Sequence, residues 1–300
     1  MITIFTALYP EAKELIRALS LKKDMTQNHF QVFSDENNQI QIVIPGASAI
    51  AAATAVAECS TRREPDSGDF LINYGSCAGR KNIPVGTVSL CNKLTQTVDG
   101  RTFYPDILYR HPFGEAELYS FPTVQFLNKD AGAGNGEKGI LVDMEAAAIY
   151  QAGNYYYAPH QMLFLKVVTD HGTTQEPQSA GSGEHFSQIM DRAAEEVLTF
   201  IRQLLTMQEK NSRQESMQEA FRSQVEEQAK LWQEALHGSE TMKAQIRQMI
   251  LYHSLCEEKE ASGMQTMSGW YREYEQAGRL PAKDKREGKR ILEELRARVL

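Results

Sequence analysis

Three acidic residues stand where apolar runs give way to other structure. Glu11 follows the run at residues 2–8, Glu145 opens Ala146-Ala147-Ala148-Ile149 directly after Met144, and Asp170 closes the run at residues 164–169. A carboxylic acid can give a proton; a carboxylate can take one, or accept two hydrogen bonds from a vicinal diol. Ligands of α/β sheets gather beyond the carboxyl ends of the strands, where Glu11 and Asp170 are expected. Each acid also has a plain structural use, complementing a helix dipole or capping a strand end. Between them lies Gly75-Ser76-Cys77-Ala78-Gly79. Its small residues let backbone approach a ligand closely, or simply make a tight turn. It has the spacing of neither a dinucleotide fingerprint nor a P-loop.

The elements that must position these groups alternate in type. Residues 2–8 read as a strand. Pro10 suits a first helical turn, and Ala12, Leu15, Ile16 and Leu19 give helical spacing over 11–20. Further strands are expected at 39–44, at 70–74 (ending in the glycine turn 75–79), at 86–94 and at 162–169. Helices are expected at 47–57, 143–153 and 184–205. This alternation predicts an α/β fold, a three-layer sandwich around a central mixed sheet, over residues 1–205.

Residues 206–300 differ in composition. They hold 16 Lys/Arg and 16 Asp/Glu, so the net charge of −7 belongs to the first part. Rich in Gln, Glu, Lys and Met, they read as a helical, charge-rich region, with helices expected at 212–236, 239–255, 270–274 and 289–300. A helical appendage, a surface for a protein partner and a nucleic-acid contact are the three uses considered. The cluster Lys283, Lys285, Arg286, Lys289 and Arg290 is interleaved with Asp284 and Glu287, which reads as a solvated helix and makes nucleic acid the least favoured. Four scattered cysteines without metal-ligand spacing suit free thiols in a reducing cytoplasm. The first residues read as a strand rather than a signal peptide, and no segment is long and apolar enough to span a membrane.

Five segments carry a resemblance. They are Thr6-Ala7-Leu8-Tyr9-Pro10-Glu11, Asn73-Tyr74-Gly75-Ser76-Cys77-Ala78-Gly79, Pro84-Val85-Gly86-Thr87-Val88, Val142-Asp143-Met144-Glu145-Ala146-Ala147-Ala148-Ile149 and Val167-Val168-Thr169-Asp170. In this order they resemble the nucleosidase/phosphorylase superfamily, most of all its methylthioadenosine/S-adenosylhomocysteine nucleosidase branch, and the Met-Glu-Ala helix start is the most specific. Residues 206–300 lie outside the resemblance.

That resemblance implies cleavage of the N-glycosidic bond of a purine (thio)ribonucleoside in nucleoside salvage, with no metal or organic cofactor. The reaction passes through an oxocarbenium-like sugar. Asp170 would protonate the leaving purine at N7, which asks for a buried acid. Glu145 would take the ribose hydroxyls, and Met144 would pack on the sugar. Glu11 would orient and deprotonate the attacking water beside Gly75 and Ser76. Thr169 stands where relatives often have Ser, and Phe186 is a candidate lid aromatic. A homodimer is a further implication. Phosphorolytic relatives hold phosphate with arginines, one of them just before the Gly-Ser loop; Leu71-Ile72-Asn73-Tyr74 offers none, so hydrolysis is favoured over phosphorolysis. Lys166 replaces a family arginine and remains a candidate anion ligand.

Residues 104–139 form a shorter stretch than the family's. Tyr119-Ser120-Phe121-Pro122-Thr123-Val124 is the best remnant of a base-contacting strand, and a glycine-rich loop at 131–136 follows it. A nucleoside-binding or scaffold protein without turnover is therefore the reading outside enzymology.

Overall fold

The computed structural model describes residues 1–26, 29–124, 140–172, 183–256 and 262–299. The chain divides into two units, Met1–Glu209 and Lys210–Leu300.

In the first unit the strands are β1 (Ile2–Phe5), β2 (Lys22–Lys23), β3 (Gln31–Ser34), β4 (Ile40–Ile44), β5 (Phe70–Gly79), β6 (Val88–Gln96), β7 (Thr102–Phe103), β8 (Gly114–Ser120), β9 (Ile140–Asp143) and β10 (Met162–Asp170). The helices are α1 (Tyr9–Ala18), α2 (Ala49–Arg62), α3 (Ala146–Gly153) and the start of α4 (Glu184–Ala235). All the described strands join one mixed sheet. β1 lies between β4 and β5, parallel to both, and is buried along its length. Its Ile-Thr-Ile-Phe sequence suits a strand covered on both faces.

The other end of the sheet closes on itself. β5 pairs with β10, β10 with β6, β6 with β8, β8 with β9, and β9 with β5 again. A central mixed sheet with helices is as the sequence predicts; its closure into a five-stranded barrel is not legible there. One apolar cluster joins α1 and α4 to one face of the sheet, through residues such as Leu15, Ile42, Ile72, Leu165 and Val197. A second joins α2 and α3 to the other, through Ala52, Val56, Leu71, Ile149 and Phe164. The alanines of α2 and α3 let these helices pack on one another as well as on the sheet.

Two sequence-based expectations are corrected. Residues 75–79 are no turn: β5 runs on to Gly79, with β10 along one edge as far as Ala78 and β9 beside Ala78 and Gly79 on the other, while the Glu11 carboxylate takes the Ser76 amide between them. Partners of these kinds keep the backbone satisfied without a turn. Gly79 is needed for close packing, since a Cβ there would lie 2.8 Å from a Val168 methyl. Likewise, residues 143–153 are not one helix. Asp143 ends β9, and α3 begins only at Ala146. The glycine-rich loop expected at 131–136 lies outside the described residues.

α4 continues without a break to Ala235, past residue 205, where composition changes. In the second unit its last part is joined by α5 (Glu240–Cys256), α6 (Ser262–Gln276) and α7 (Lys285–Val299). Their shared core includes Trp232, Ile246, Ile250, Met267, Tyr274 and Ile291. Trp232 meets Tyr271 and Tyr274 edge-on, so these aromatics are packing residues. Among the described residues, no helix is long and apolar enough to cross a membrane.

Candidate active site

Glu11 enters the site from the first turn of α1, where Pro10 sets the helical φ. Its side chain is buried and does two things. One oxygen accepts a hydrogen bond from the Leu8 amide at 2.9 Å, the expected service of an acid near a helix start. The other accepts from both the amide of Ser76 (2.8 Å) and its hydroxyl (2.6 Å). Gly75 makes this contact possible: a Cβ at that position would lie 3.2 Å and 3.3 Å from the two carboxylate oxygens.

Lys166, on β10, is the register partner of Gly75. Its side chain is 2% exposed, and its Nζ lies 2.8 Å from Oδ2 of Asp143. Burial would push the ammonium down, but the carboxylates of Asp143, Glu145 and Glu11 outweigh it and hold the group above its ordinary value. Among the described residues, Lys166 is the one buried Lys or Arg.

Asp143 is the hub that sequence reasoning missed. Besides Lys166, it accepts from the Ser120 hydroxyl at 2.5 Å and from the Ala146 amide at 2.9 Å. The Ser120 oxygen in turn accepts from the Ala147 amide at 3.0 Å. Two of the open amides at the start of α3 are thus satisfied by Asp143 and Ser120. Glu145 occupies the N-cap position and makes no capping bond. Its Oε1 is buried without a hydrogen-bond partner. Glu145 is not the capping side chain of α3, since Asp143 and Ser120 hold the Ala146 and Ala147 amides. Burial, then the neighbouring Asp143 charge, push its carboxyl up to about 7; Glu11 adds to this, while Lys166 and the Met144 amide oppose it. Met144 beside it is half-buried.

Asp170 ends β10 opposite Ala78, two residues beyond Ser76 along β5. It is half-buried, not buried as a proton donor to a purine would need. Its oxygens accept from the Gly172 amide at 2.7 Å and the Thr169 hydroxyl at 3.1 Å, and Thr169 also donates to the Cys77 carbonyl. Phe186 is buried in the apolar cluster with α1 and α4.

The structure therefore gathers Glu11, Gly75, Ser76, Glu145 and Lys166 into one electrostatic cluster. It adds Asp143 and Ser120, places Asp170 and Thr169 at the adjoining strand end, and puts Phe186 in the core. Asp143 was open to sequence reasoning only as an N-cap-type residue three positions before a helix. Ser120 gave no signal of its own. Among the described residues, no group of three or more His, Cys, Asp or Glu side chains is arranged to hold a metal ion.

No protein-family model matches the chain, and no curated protein matches it in sequence. Solved structures match it in fold. The apo 5′-methylthioadenosine nucleosidase of Arabidopsis thaliana aligns at 16% identity with a TM-score of 0.56, over 68% of this chain and 95% of its own. The 5′-methylthioadenosine/S-adenosylhomocysteine nucleosidase of Neisseria meningitidis, in complex with methylthio-immucillin-A, aligns at 18% identity and 0.51, over 68% and 97%. The enzyme of the same description from Colwellia psychrerythraea, in complex with adenine, aligns at 16% identity and 0.51, over 68% and 94%. Over the 68% of the chain that aligns, the fold is that of the methylthioadenosine/S-adenosylhomocysteine nucleosidases.

Proposed function

We propose that the unit Met1–Glu209 is a nucleosidase that splits a purine ribonucleoside or thioribonucleoside with water into free base and sugar. The observation that carries this reading is the Glu145 carboxyl: buried, relieved of capping, and with Oε1 unpartnered. A buried acceptor without a donor is costly, and a ribose diol would satisfy it. The likeness in fold to nucleosidases, some of them solved with a nucleoside analogue or adenine, supports the same substrate class.

Each residue then has a task. Glu145 accepts the 2′- and 3′-hydroxyls, with Met144 against the sugar. Glu11, steadied by Ser76, takes a proton from the water that attacks C1′. The C1′–N bond breaks, and Asp170 gives its proton to the departing purine at N7. Seating a purine over the half-buried Asp170 would supply the desolvation that a proton donor needs.

Water is favoured over phosphate as the nucleophile. The surroundings of Glu145 hold the carboxylates of Glu11 and Asp143, and Lys166 is already committed to Asp143. A second anion entering this cluster would meet no free buried cation among the described residues. Lys166 is accordingly assigned to structure rather than to an anion. The resemblance further carries a three-layer arrangement, a homodimer and a cytoplasmic salvage role as parts of this proposal. Lys210–Leu300 is read as a helical appendage for self-association or a protein partner.

The test is release of base from 5′-methylthioadenosine, S-adenosylhomocysteine, 5′-deoxyadenosine, adenosine and inosine, with and without phosphate. Release without phosphate is expected. Release only with phosphate would replace hydrolysis by phosphorolysis. No release in either condition would leave a nucleoside-binding protein, to be checked by titration calorimetry.

A further inference from the structure

Ser120 lies at a junction that the proposed chemistry does not use. It ends β8 as the direct register partner of Asp143 at the end of β9, and its side chain is buried. Its carbonyl is held by the amide of Thr97 at 3.1 Å and the hydroxyl of Thr97 at 2.8 Å. Asp143 is held from the other side by the Phe121 amide, which donates to its carbonyl at 2.8 Å. The Ser120 hydroxyl spends its proton on Asp143 and its lone pair on the Ala147 amide. Ser120 and Asp143 thus both sit on strand ends that the barrel fixes.

We propose that Ser120 is a positioning residue of the site: with Asp143 it satisfies the first turn of α3, and so leaves the Glu145 carboxylate, which stands at the capping position, free to meet a ligand. An acid at an N-cap would otherwise turn back onto the open amides two and three residues on. In this chain those amides are Ala147 and Ala148, and Ser120 holds the first. Remove the Ser120 hydroxyl, and the Ala147 amide loses its acceptor and Asp143 loses a donor. Glu145 is then the nearest anionic replacement. The inference rests on Glu145 as the ribose ligand, but its structural half stands apart from that assignment.

The experiment compares Ser120→Ala with the wild type and with Ser120→Thr, which keeps the hydroxyl. The first readout is KM, or Kd by calorimetry, for adenosine and for 2′,3′-dideoxyadenosine, which lacks both hydroxyls that Glu145 would take. Ser120→Ala is expected to weaken adenosine about tenfold while kcat changes little, to leave 2′,3′-dideoxyadenosine nearly unchanged, and to be rescued by Thr. Equal loss on both ligands, or no loss on adenosine, would overturn the proposal. The second readout is amide hydrogen exchange at Ala146, Ala147 and Ala148. Protection gained at Ala148 supports the swap of caps; exchange that is unchanged, or only faster at Ala147, overturns it. A wild type that neither cleaves nor binds nucleosides would fail the functional reading alone, and exchange would still decide the role of Ser120. If the Ala variant does not fold, Ser120→Cys, which retains a weak donor, is expected to give the same changes at smaller amplitude; wild-type behaviour in it would count against the proposal.

Discussion

The ammonium of Lys166 lies 2.8 Å from Asp143 Oδ2 with both side chains almost wholly inside the protein. The two belong to different strands of the barrel, β10 and β9, which are not direct neighbours in its pairing. The pair therefore ties opposite parts of the ring through charge. Removing one partner leaves the other charged and buried. Lys166→Met is expected to cost about 3–5 kcal/mol in urea unfolding. Adding Asp143→Asn should recover part of that loss, since the uncompensated charge goes with it. A single variant as stable as the wild type would show that Asp143 has another cation.

Glu145 makes stability and binding respond to pH in opposite ways. Its carboxyl titrates near 7 in the folded protein against an ordinary 4.5. Between those values the folded chain holds a proton that the unfolded chain has lost, so stability falls as pH rises through this window. The full cost, ~3 kcal/mol at most, is in place above pH 7. Glu145→Gln should thus raise stability at pH 8 by about 1–3 kcal/mol and change little at pH 4. A diol prefers the carboxylate form, so ribonucleoside affinity in the wild type should rise about tenfold from pH 6 to pH 8. Thermal melts and calorimetry across this range check both slopes.

Gly75→Ala puts a methyl against the Glu11 carboxylate, 3.2–3.4 Å from its atoms. The carboxylate must shift by a few tenths of an ångström, and with it the water that it is proposed to activate. A fall in kcat of about tenfold or more is expected, because small misplacements of a reacting group are costly. The melting temperature should move by only a few degrees. A variant with wild-type turnover would remove Glu11 from the reaction.

Asp170→Asn should abolish base release while leaving the fold and ligand binding in place. Its two acceptor bonds, to Gly172 and Thr169, are local and can be partly kept by an amide. Circular dichroism and calorimetry separate loss of chemistry from loss of fold. Near-full turnover would mean that another group protonates the base.

How much of this was legible in the sequence depends on how local the cause was. Helix α1 and strands β1, β4 and β10 follow from apolar periodicity, and their ends fall within a few residues of expectation. Glu11, Ser76 and Glu145 were found because their neighbours in sequence mark them: Pro10 before a helical turn, small residues around Ser76, alanines after Glu145. The continuation of β5 through Gly75–Gly79 could not be read that way. Glycines punctuate turns locally, and only two partner strands, β10 and β9, make this stretch extended. The burial expected of Asp170 also failed, since exposure at a strand end depends on what packs over it. Asp143 and Ser120 were passed over for the same reason. They lie 23 residues apart in sequence and acquire meaning only as register partners.

β8 and β9 are parallel neighbours whose ladder runs from Glu117 and Ile140 to Ser120 and Asp143. The 19 residues that join them, 121–139, are thus bracketed by a register that the ladder itself enforces. Natural variation in that connection, in length or in composition, would leave Ser120, Asp143 and the start of α3 where they are. That connection can therefore change without dismantling the framework that the ladder holds.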